Sequence, residues 1–352
     1  MKGPNSPGRD NDEFALYTQG PPGTAADPLA SLTEAARLAD HYGYTGMLLF
    51  YNHRSLEPWL LASALIHCTP RLVPLIALQP YAVPPTAAAK MAATLAKLYG
   101  RRIDINLIAG ADPAELAQIG DTTEHDARYA RATEYVQVLR NALESDEPFS
   151  HAGEHYRFDR LFLNAFLEPG LRPRVLVAGS SPAGRETAAA VADVTVTHPD
   201  PVGTFSRDFA ATAPPGAGIG IRIGVLARPT AEQAWNEARA RYPIDRAAIV
   251  RTRLKQKSPS EWTRRLAVLA AGAETYDEVY WTGAFTSGAS SFPLLVGDYE
   301  QVGAYLGQYH AAGVRTVLAA GVNTADDYRH ADQVFSRFRD GRQPSAFSKL
   351  RE

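Results

Sequence analysis

IGIRIGVLARPTAEQAW, residues 219–235, joins an apolar strand to an amphipathic helix. Residues 219–227 form a near-continuous apolar run, which is typical of a strand buried on both faces. A helical pattern follows Pro229 and extends over 230–241. Arg222 interrupts the strand, and its guanidinium stays charged at neutral pH, so burying it without a partner is costly. The stretch therefore predicts a strand–helix unit in which the guanidinium of Arg222 needs a partner.

The same strand–helix unit recurs along the chain and indicates the fold class. Buried strands that alternate with helices are typical of a parallel sheet covered by helices. The candidate strands are 14–18, 44–50, 71–79, 103–109, 174–178, 192–197, 219–227 and 315–320. The candidate helices are 29–41, 59–67, 85–98, 126–143, 182–190, 203–210, 230–241 and 299–312. Eight units without a GxGxxG motif after the first strand favour an α/β fold of the closed (β/α)8 TIM-barrel type over an open doubly wound sheet.

Two segments are longer than a minimal barrel requires. Residues 144–173 precede the fifth strand, and we expect a hairpin over 151–165. Residues 243–298 form an insertion after the seventh strand, with a helix over 259–271 and a stretch of small residues over 282–291. A long loop of small residues at the ligand face of a barrel is typical of a lid, although the composition also suits a disordered insertion.

The composition is that of a globular protein. Of the 352 residues 45% are hydrophobic and 21% are charged, and the net charge is −2. No basic excess is available for a nucleic-acid partner, and no apolar run approaches the ~18 residues that a membrane span needs. The single cysteine, Cys68, excludes an internal disulfide, and the scattered histidines and acidic residues predict no metal site. We therefore expect a cytoplasmic protein without nucleic-acid or membrane partners.

The ends of the chain differ in composition from its middle. Residues 1–13 are rich in glycine, proline, asparagine and aspartate and lack the apolar core of a signal peptide. We expect a disordered tail at 1–13, one domain over 14–340 and a second tail at 341–352.

Polar residues at the strand ends define the candidate site, because barrel active sites lie at the C-terminal ends of the strands. They are Gln19, 51–53, Gln79, Asn106, Gly110, 179–181, 197–198, Arg222 and 322–323. They contain neither a nucleophile beside a base nor a pair of carboxylates. Such a site suggests that a bound cofactor carries the difficult chemical step.

The stretch VLVAGSSPAGRETAAAVA, residues 175–192, predicts an anion site. Its strand ends at Gly179, and Ser180 and Ser181 are suited to cap a helix opened by Pro182. Free N–H groups at a helix start, beside small residues, bind phosphate well. An ordinary capped crossover helix would have the same sequence.

Asn106 and Arg222 are polar residues inside apolar strands, and two explanations are open for each of them. The Asn106 amide interrupts an apolar strand and either meets a flat heterocycle or is satisfied inside the barrel. The Arg222 guanidinium either meets an anion in the barrel mouth or forms an ion pair with a barrel carboxylate such as Asp104.

The succession of motifs resembles that of the bacterial luciferase-like monooxygenases, and most of all their alkanesulfonate monooxygenase branch. The resemblance covers roughly 14–340. It rests on GYTGMLLF (43–50), RLVPLIALQ through ADPAELA (71–117), EHDARYARATEYVQVLR (124–140), VLVAGSS (175–181) and IGIRIGVLARPTAEQAW (219–235).

The resemblance implies a TIM barrel with a mobile insertion after strand seven and a flavin at its C-terminal end. Gly179, Ser180 and Ser181 would hold the flavin phosphate with Tyr129 nearby, and Asn106 would face the isoalloxazine. Two-component members of the family receive reduced FMN from a separate NAD(P)H-dependent flavin reductase, and one branch uses a deazaflavin. Relatives commonly form homo-oligomers, so the resemblance implies one here.

The resemblance also indicates catalytic residues and departures from the sulfonate enzymes. We predict that Arg222, His198, Gln19 and Ser55 act in catalysis, with Arg222 pairing with an anionic substrate or stabilising negative charge on the flavin. The positions that differ from the sulfonate enzymes are Gln19 (histidine there), Ser55 or Leu56 (cysteine), His198 (tryptophan), Gly224 (histidine), Gly288 (arginine) and Val322 (tyrosine). The lost polar groups at 56, 224 and 322 are expected to leave a roomier, more apolar mouth.

These features together predict a two-component monooxygenase that uses reduced FMN and O2 on a substrate other than an alkanesulfonate. We expect a larger and less charged compound of specialised metabolism, either a free small molecule or one tethered to a carrier. The alternatives are a deazaflavin-dependent oxidoreductase of the same superfamily and a flavin-binding or pathway-partner protein without catalytic activity.

Overall fold

Thirteen strands and thirteen α-helices build the described part of the chain. A computed structural model describes residues 13–21, 25–110, 113–258 and 260–339. The strands are β1 (Ala15–Gln19), β2 (Gly46–Leu49), β3 (Val73–Leu78), β4 (Asp104–Leu107), β5 (Phe149–Ala152), β6 (Arg157–Leu161), β7 (Val175–Ala178), β8 (Val194–Thr197), β9 (Gly218–Arg228), β10 (Thr275–Tyr276), β11 (Tyr280–Trp281), β12 (Leu294–Asp298) and β13 (Val314–Ala320). Apart from Glu13, the predicted tails at 1–13 and 341–352 lie outside the described residues.

The helices cover the sheet in chain order. They are α1 (Pro28–His41), α2 (Pro58–Cys68), α3 (Pro85–Tyr99), α4 (Pro113–Gln118), α5 (His125–Glu144), α6 (Pro182–Val191), α7 (Val202–Asp208), α8 (Ala231–Arg241), α9 (Arg246–Leu254), α10 (Glu261–Gly272), α11 (Gly283–Ser287), α12 (Tyr299–Ala311) and α13 (Ala325–Arg339). Short 3-10 turns occur at Pro169–Leu171, Ala210–Thr212 and Lys255–Lys257. No helix in the described ranges is both long and apolar enough to cross a membrane.

Eight parallel strands close into the predicted barrel. Strands β1, β2, β3, β4, β7 and β8 pair in succession, β9 pairs with β8 and with β13, and β13 pairs with β1. Each of the eight strands predicted from the sequence supplies one barrel strand. The (β/α)8 fold is therefore confirmed.

Side chains inside the barrel fill its lower part and leave the C-terminal end open. Alternate residues of a strand face the same side, so Gly220, Arg222 and Gly224 of β9 share the inner face. Lower down, the Tyr17 hydroxyl donates a hydrogen bond to Asp104 Oδ2 at 2.6 Å, and Asp104 forms an ion pair with Arg102 at 2.9 Å. Both Tyr17 and Asp104 are fully buried. These side chains therefore fill the barrel interior below Arg222.

The excursion before β7 forms the predicted hairpin, which begins two residues earlier than expected. Strands β5 and β6 pair antiparallel, and β5 packs on α5. The Glu134 carboxylate of α5 holds the hairpin, because it accepts hydrogen bonds from the His155 and Tyr156 N–H groups and from His151 Nε2. These bonds explain why a carboxylate is nearly buried at this point.

The insertion after β9 is built of secondary structure. It contains α9, α10, the short pair β10 and β11, α11 and β12, and β12 extends the sheet by pairing parallel with β9. Thr282 and Phe285, in the small-residue stretch 282–291, are buried, and the Thr282 hydroxyl donates to the Ala273 and Glu274 carbonyls. The stretch is thus packed into the insertion; that the insertion moves as a lid remains a prediction.

Candidate active site

A cavity of about 300 Å³ opens at the C-terminal ends of the barrel strands. That volume lies at the small end of the range for cofactor and ligand pockets, about 300–1,000 Å³. Its wall combines strand ends, the α4–α5 region and the insertion. The lining residues are Tyr51, Gln79, Tyr81, Asn106, Ile108, Ala109, Gly110, Glu115, His125, Arg128, Tyr129, Ala178, Gly179, Ser180, Ser181, Val196, Thr197, His198, Arg222, Ser260, Glu261, Trp262 and Leu318.

The start of α6 forms one end of the cavity. Ser181 caps the helix as predicted, since its Oγ accepts a hydrogen bond from the Gly184 N–H at 3.2 Å, and Pro182 begins the helix. A Cβ at Gly179 would lie 2.9 Å from the Tyr129 hydroxyl and 3.3 Å from Gly184 Cα, so a larger residue there would displace Tyr129. Burial raises the pKa of Tyr129, so its phenol stays protonated and able to donate. The structure thus brings together all the residues predicted to bind phosphate.

Two buried oxygen atoms in the cavity wall have no partner within the described residues. They are Asn106 Oδ1 and Ser180 Oγ, on side chains of residues that are 6% and 4% exposed. A buried polar atom without a hydrogen bond costs about 1–3 kcal/mol, so native proteins rarely keep one without a ligand or water to satisfy it. Both atoms lie where the resemblance places the flavin, and their unmet hydrogen-bonding capacity fits a bound polar heterocycle with a phosphate.

Arg222 lies on the inner face of β9 without a carboxylate partner. Its Nη2 donates a hydrogen bond to Gln19 Oε1 at 2.7 Å, and its Cζ lies 5.4 Å from the centroid of the Phe292 ring. No carboxylate in the described ranges forms an ion pair with it, and Asp104 is engaged by Arg102 and Tyr17 instead. Burial lowers the pKa of Arg222 to about 10, which leaves the guanidinium charged at neutral pH. The cavity therefore contains a fixed positive charge available to an anion.

His198 lies at the end of β8 and stacks on a residue of the insertion. Its ring is 4.2 Å from the Trp262 ring at an interplanar angle of 13°, and its Nδ1 is buried without a partner among the described residues. Arg265 of α10 reinforces this contact by donating to the His198 carbonyl at 2.8 Å and pairing with Asp200. The insertion thus forms one wall of the cavity through α10.

We predict that His198 makes the folded chain sensitive to acid. Burial, together with the charges of Arg222 and Arg265, lowers the pKa of His198 well below its usual value. The unfolded chain takes up a proton on this ring below about pH 6.5, and the folded chain does not, so the free energy of unfolding falls as the pH drops through that range. Thermal unfolding of the wild type and His198→Gln from pH 8 to pH 5 checks this, and the variant should lose less stability. His67→Gln, at an exposed histidine of α2, should follow the wild-type curve.

The other predicted catalytic residues have different positions. Gln19 does not line the cavity but reaches it through its hydrogen bond to Arg222. Ser55 lies apart: it lines a separate small cavity with Leu56, and its Oγ is bonded to the N–H and carbonyl of Asn52. The geometry brings Arg222, His198 and Gln19 together and leaves Ser55 outside the group.

Sequence reasoning missed several side chains of the cavity wall. Tyr81, Glu115, Arg128 and Trp262 line the cavity, although none was predicted as a site residue. Arg128 had a signal, since it precedes Tyr129 in the HDARY segment. Trp262 had no such signal, because the sequence of a helix within an insertion does not indicate which part of the barrel the helix packs against.

The expected space at Gly224 is not present. A Cβ at this position would lie 2.8 Å from Leu294 Cγ and Cδ1 and 3.0 Å from Phe292 Cε2, both contributed by the segment that leads into and forms β12. Val322 is buried in the outer core, and Leu56 lies on the separate small cavity. The prediction that the lost polar groups at 56, 224 and 322 open the mouth is therefore wrong. A strand that the sequence analysis missed occupies the space beside β9.

We expect Gly224→His to destabilise the protein rather than restore a polar site. The imidazole would overlap Leu294 and Phe292, and overpacking of this kind costs about 1–3 kcal/mol. Chemical denaturation measures the loss in free energy of unfolding. Gly203→His, at an exposed position where a Cβ meets nothing within 4 Å, is the control and should change stability little. Equal stability of the two variants would contradict the packing described here.

Comparison with a family model identifies the class of enzyme to which the chain belongs. Residues 13–316 match the family model of the luciferase-like monooxygenases. The chain belongs to the luciferase-like monooxygenase family, which confirms the predicted family and class of enzyme.

Individual relatives show how far the similarity extends. The chain is 45% identical over 316 residues to the 4-(gamma-L-glutamylamino)butanoyl-[BtrI acyl-carrier protein] monooxygenase BtrO of Niallia circulans, covering 89% of this chain and 91% of that protein. Among solved structures it is similar to EDTA monooxygenase (EmoA) from Chelativorans sp. BNC1, with a TM-score of 0.73, 17% identity and coverage of 94% and 95% of the two chains. An F420-dependent secondary alcohol dehydrogenase has a TM-score of 0.67 at 16% identity, covering 93% of this chain and all of that one. At this level of identity, the similarity of the chain to these two structures shows a common fold and nothing about function.

Proposed function

We propose that this protein is a two-component monooxygenase that uses reduced FMN and O2 to oxidise an acyl group carried on an acyl-carrier protein. The observation that carries the proposal is the 45% identity, over 89% of the chain, to a monooxygenase whose substrate is tethered to such a carrier. The proposal excludes an alkanesulfonate as the substrate, in keeping with the departures from that branch.

The cavity supports reduced FMN as the cofactor. The start of α6, with Ser180, Ser181 and the close approach at Gly179, would hold the phosphate, and Tyr129 would add a hydroxyl donor. The unpartnered Asn106 Oδ1 would accept a hydrogen bond from the ring system. Reduced FMN, supplied by a separate flavin reductase, would provide the two electrons that activate O2.

The remaining polar residues support a role in holding charge and excluding water. Arg222 is a buried guanidinium of β9 that lines the cavity, and it would stabilise negative charge that develops near the flavin or hold an anionic group of the substrate. His198 is neutral because its pKa is lowered by burial, so it adds no competing positive charge beside Arg222. Stacked on Trp262, it also covers one side of the cavity and keeps bulk water out.

The overall reaction transfers one oxygen atom of O2 to the acyl group and reduces the other to water. The substrate loses two electrons and reduced FMN supplies the other two. The test supplies chemically reduced FMN under air to the protein with holo acyl-carrier protein BtrI bearing the 4-(gamma-L-glutamylamino)butanoyl group. A carrier-bound product that has gained one oxygen atom from ¹⁸O2 supports the proposal.

Three results of this experiment would count against the proposal. Turnover with a reduced deazaflavin and none with reduced FMN would favour the oxidoreductase alternative. Tight FMN binding without any oxidised product would favour a flavin-binding partner protein without catalytic activity. Oxidation of the free acid at the same kcat/KM as the carrier-bound group would contradict the tethered substrate.

A further inference from the structure

Helix α9 and the 3-10 turn after it present a basic and apolar surface. Residues 246–257, RAAIVRTRLKQK, contain five lysines or arginines and no acidic residue, although the whole chain has 36 basic and 38 acidic residues. Ala248 and Thr252 are the buried positions of α9 and attach it to the insertion, where Thr252 Oγ1 donates to the Thr286 carbonyl. The rest of the helix surface is free for contacts with another molecule.

The exposed side of this segment combines charge with large apolar side chains. Arg246, Val250, Arg253 and Lys257 recur at helical spacing, and all four are exposed. Ile249, Val250 and Leu254 are 40%, 56% and 68% exposed. We call this surface, formed by Arg246, Ile249, Val250, Arg253, Leu254 and Lys257, the α9 face.

The basic residues of the α9 face have no acidic partner in the described ranges. None of the ion pairs of the described residues includes Arg246, Arg253 or Lys257. Exposed apolar side chains ringed by unpaired charges of one sign are typical of a surface that binds an oppositely charged protein.

The α9 face lies next to the cavity wall. Three residues after Lys257 the chain reaches Ser260, and Ser260, Glu261 and Trp262 line the cavity. The 3-10 turn and α9 both pack on α10, which carries Glu261 and Trp262. A protein bound on the α9 face would therefore be close to the cavity wall that α10 contributes.

We propose that the α9 face is the docking surface for an acidic face of the acyl-carrier protein that delivers the substrate. The inference rests on the proposed function, because a tethered acyl group reaches the cavity only if its carrier binds close to it. The charges of the α9 face require an acidic partner there, and Ile249, Val250 and Leu254 supply apolar contacts at its centre. A membrane surface suits the segment less well, because α9 has only nine residues and its exposed apolar side chains alternate with arginines.

Charge reversal on the α9 face tests the docking surface. The variant Arg253→Glu/Lys257→Glu is compared with the wild type and with Arg37→Glu/Arg157→Glu, which makes the same charge change at exposed positions on α1 and β6. Two substrates are used: the acyl group on holo BtrI, and the same acyl group as a pantetheine thioester. We expect KM for the carrier-bound substrate to rise by about tenfold or more in the α9 variant alone. Its kcat/KM for the thioester should stay within about twofold of the wild type.

Direct binding separates this inference from the proposed function. The Kd of holo BtrI for the protein, measured without flavin at low salt, should rise by about tenfold in the α9 variant and stay constant in the control variant. This holds even if the wild type fails to oxidise the substrate, a failure that would overturn the proposed function alone. An unchanged Kd and KM in the α9 variant would overturn the docking surface. Binding of the wild type to phosphatidylserine vesicles, lost in the α9 variant while the Kd of BtrI is unchanged, would assign the face to membranes instead.

Discussion

Replacing Arg222 with methionine is expected to lower kcat/KM for oxidation of the carrier-bound substrate by about 100- to 1,000-fold, the usual loss when a preorganised group that stabilises charge is removed. The buried guanidinium lines the cavity, and no carboxylate in the described ranges forms an ion pair with it. Steady-state kinetics with chemically reduced FMN measures the loss. A fall in kcat would indicate stabilisation of charge in the transition state, and a rise in KM would indicate binding of an anionic substrate group.

A charge-conserving control makes the result specific to the charge of Arg222. Arg222→Lys keeps a cation but loses the planar fork that meets Gln19, so its activity should lie between those of the wild type and the methionine variant. The methionine variant should remain folded, because removing a buried charge offsets the lost bond to Gln19, which is worth about 1–3 kcal/mol. A methionine variant with wild-type kcat/KM would show that the cation takes no part in the reaction.

The double variant Asn106→Leu/Ser180→Ala is expected to bind reduced and oxidised FMN about 30- to 100-fold more weakly without losing stability. In the free protein Asn106 Oδ1 and Ser180 Oγ are buried and have no partner within the described residues, so apolar replacements remove a cost of folding. In the proposed complex with FMN, the same replacements would remove the two hydrogen bonds that these oxygen atoms are expected to make. Fluorescence titration of FMN and thermal unfolding of the free protein measure the two effects separately.

A buried hydroxyl with a partner provides the matched control for this pair. Thr18 is 1% exposed, and its Oγ1 lies 3.1 Å from the Tyr328 hydroxyl, away from the cavity. Thr18→Val should therefore destabilise the protein and leave the Kd of FMN unchanged. If the double variant instead lost stability and bound FMN normally, Asn106 and Ser180 would stabilise the folded protein, and the proposed flavin site would be wrong.

The sequence alone predicted the barrel because its signals are local. Each barrel strand is a short apolar run next to an amphipathic helix, and the capped start of α6 follows from Ser181 and Pro182 in adjacent positions. The insertion after β9 was also predicted, yet β12 was missed, because its short apolar run at 294–298 follows a stretch of small residues typical of a loop. Helix α13 was missed as well, although Tyr328, Ala331 and Phe335 give it a helical spacing.

In the candidate site, too, some residues are predicted from local sequence and others are brought together only by tertiary packing. Gly179, Ser180, Ser181 and Asn106 stand at strand ends in the sequence, and closure of the barrel brings their ends to one cavity, as the strand order requires. No local pattern shows that His198 stacks on Trp262, because the two residues are 64 positions apart and meet only when the insertion packs across the barrel. The contact depends on tertiary packing, which a local periodicity does not contain.

The stretch 219–235 shows what the sequence determines and what the tertiary structure determines. The sequence established that a buried strand carries an arginine, and the cost of burying a charged group indicated that the guanidinium needs a partner. Only the tertiary structure decided between the two partners: Asp104 lies lower in the barrel with Arg102, and Arg222 meets Gln19 and the cavity. It also decided that Gly224 provides no space, because Leu294 and Phe292 fill it. Residue type sets which interactions are needed, and the distances that satisfy them arise when segments remote in the chain pack together.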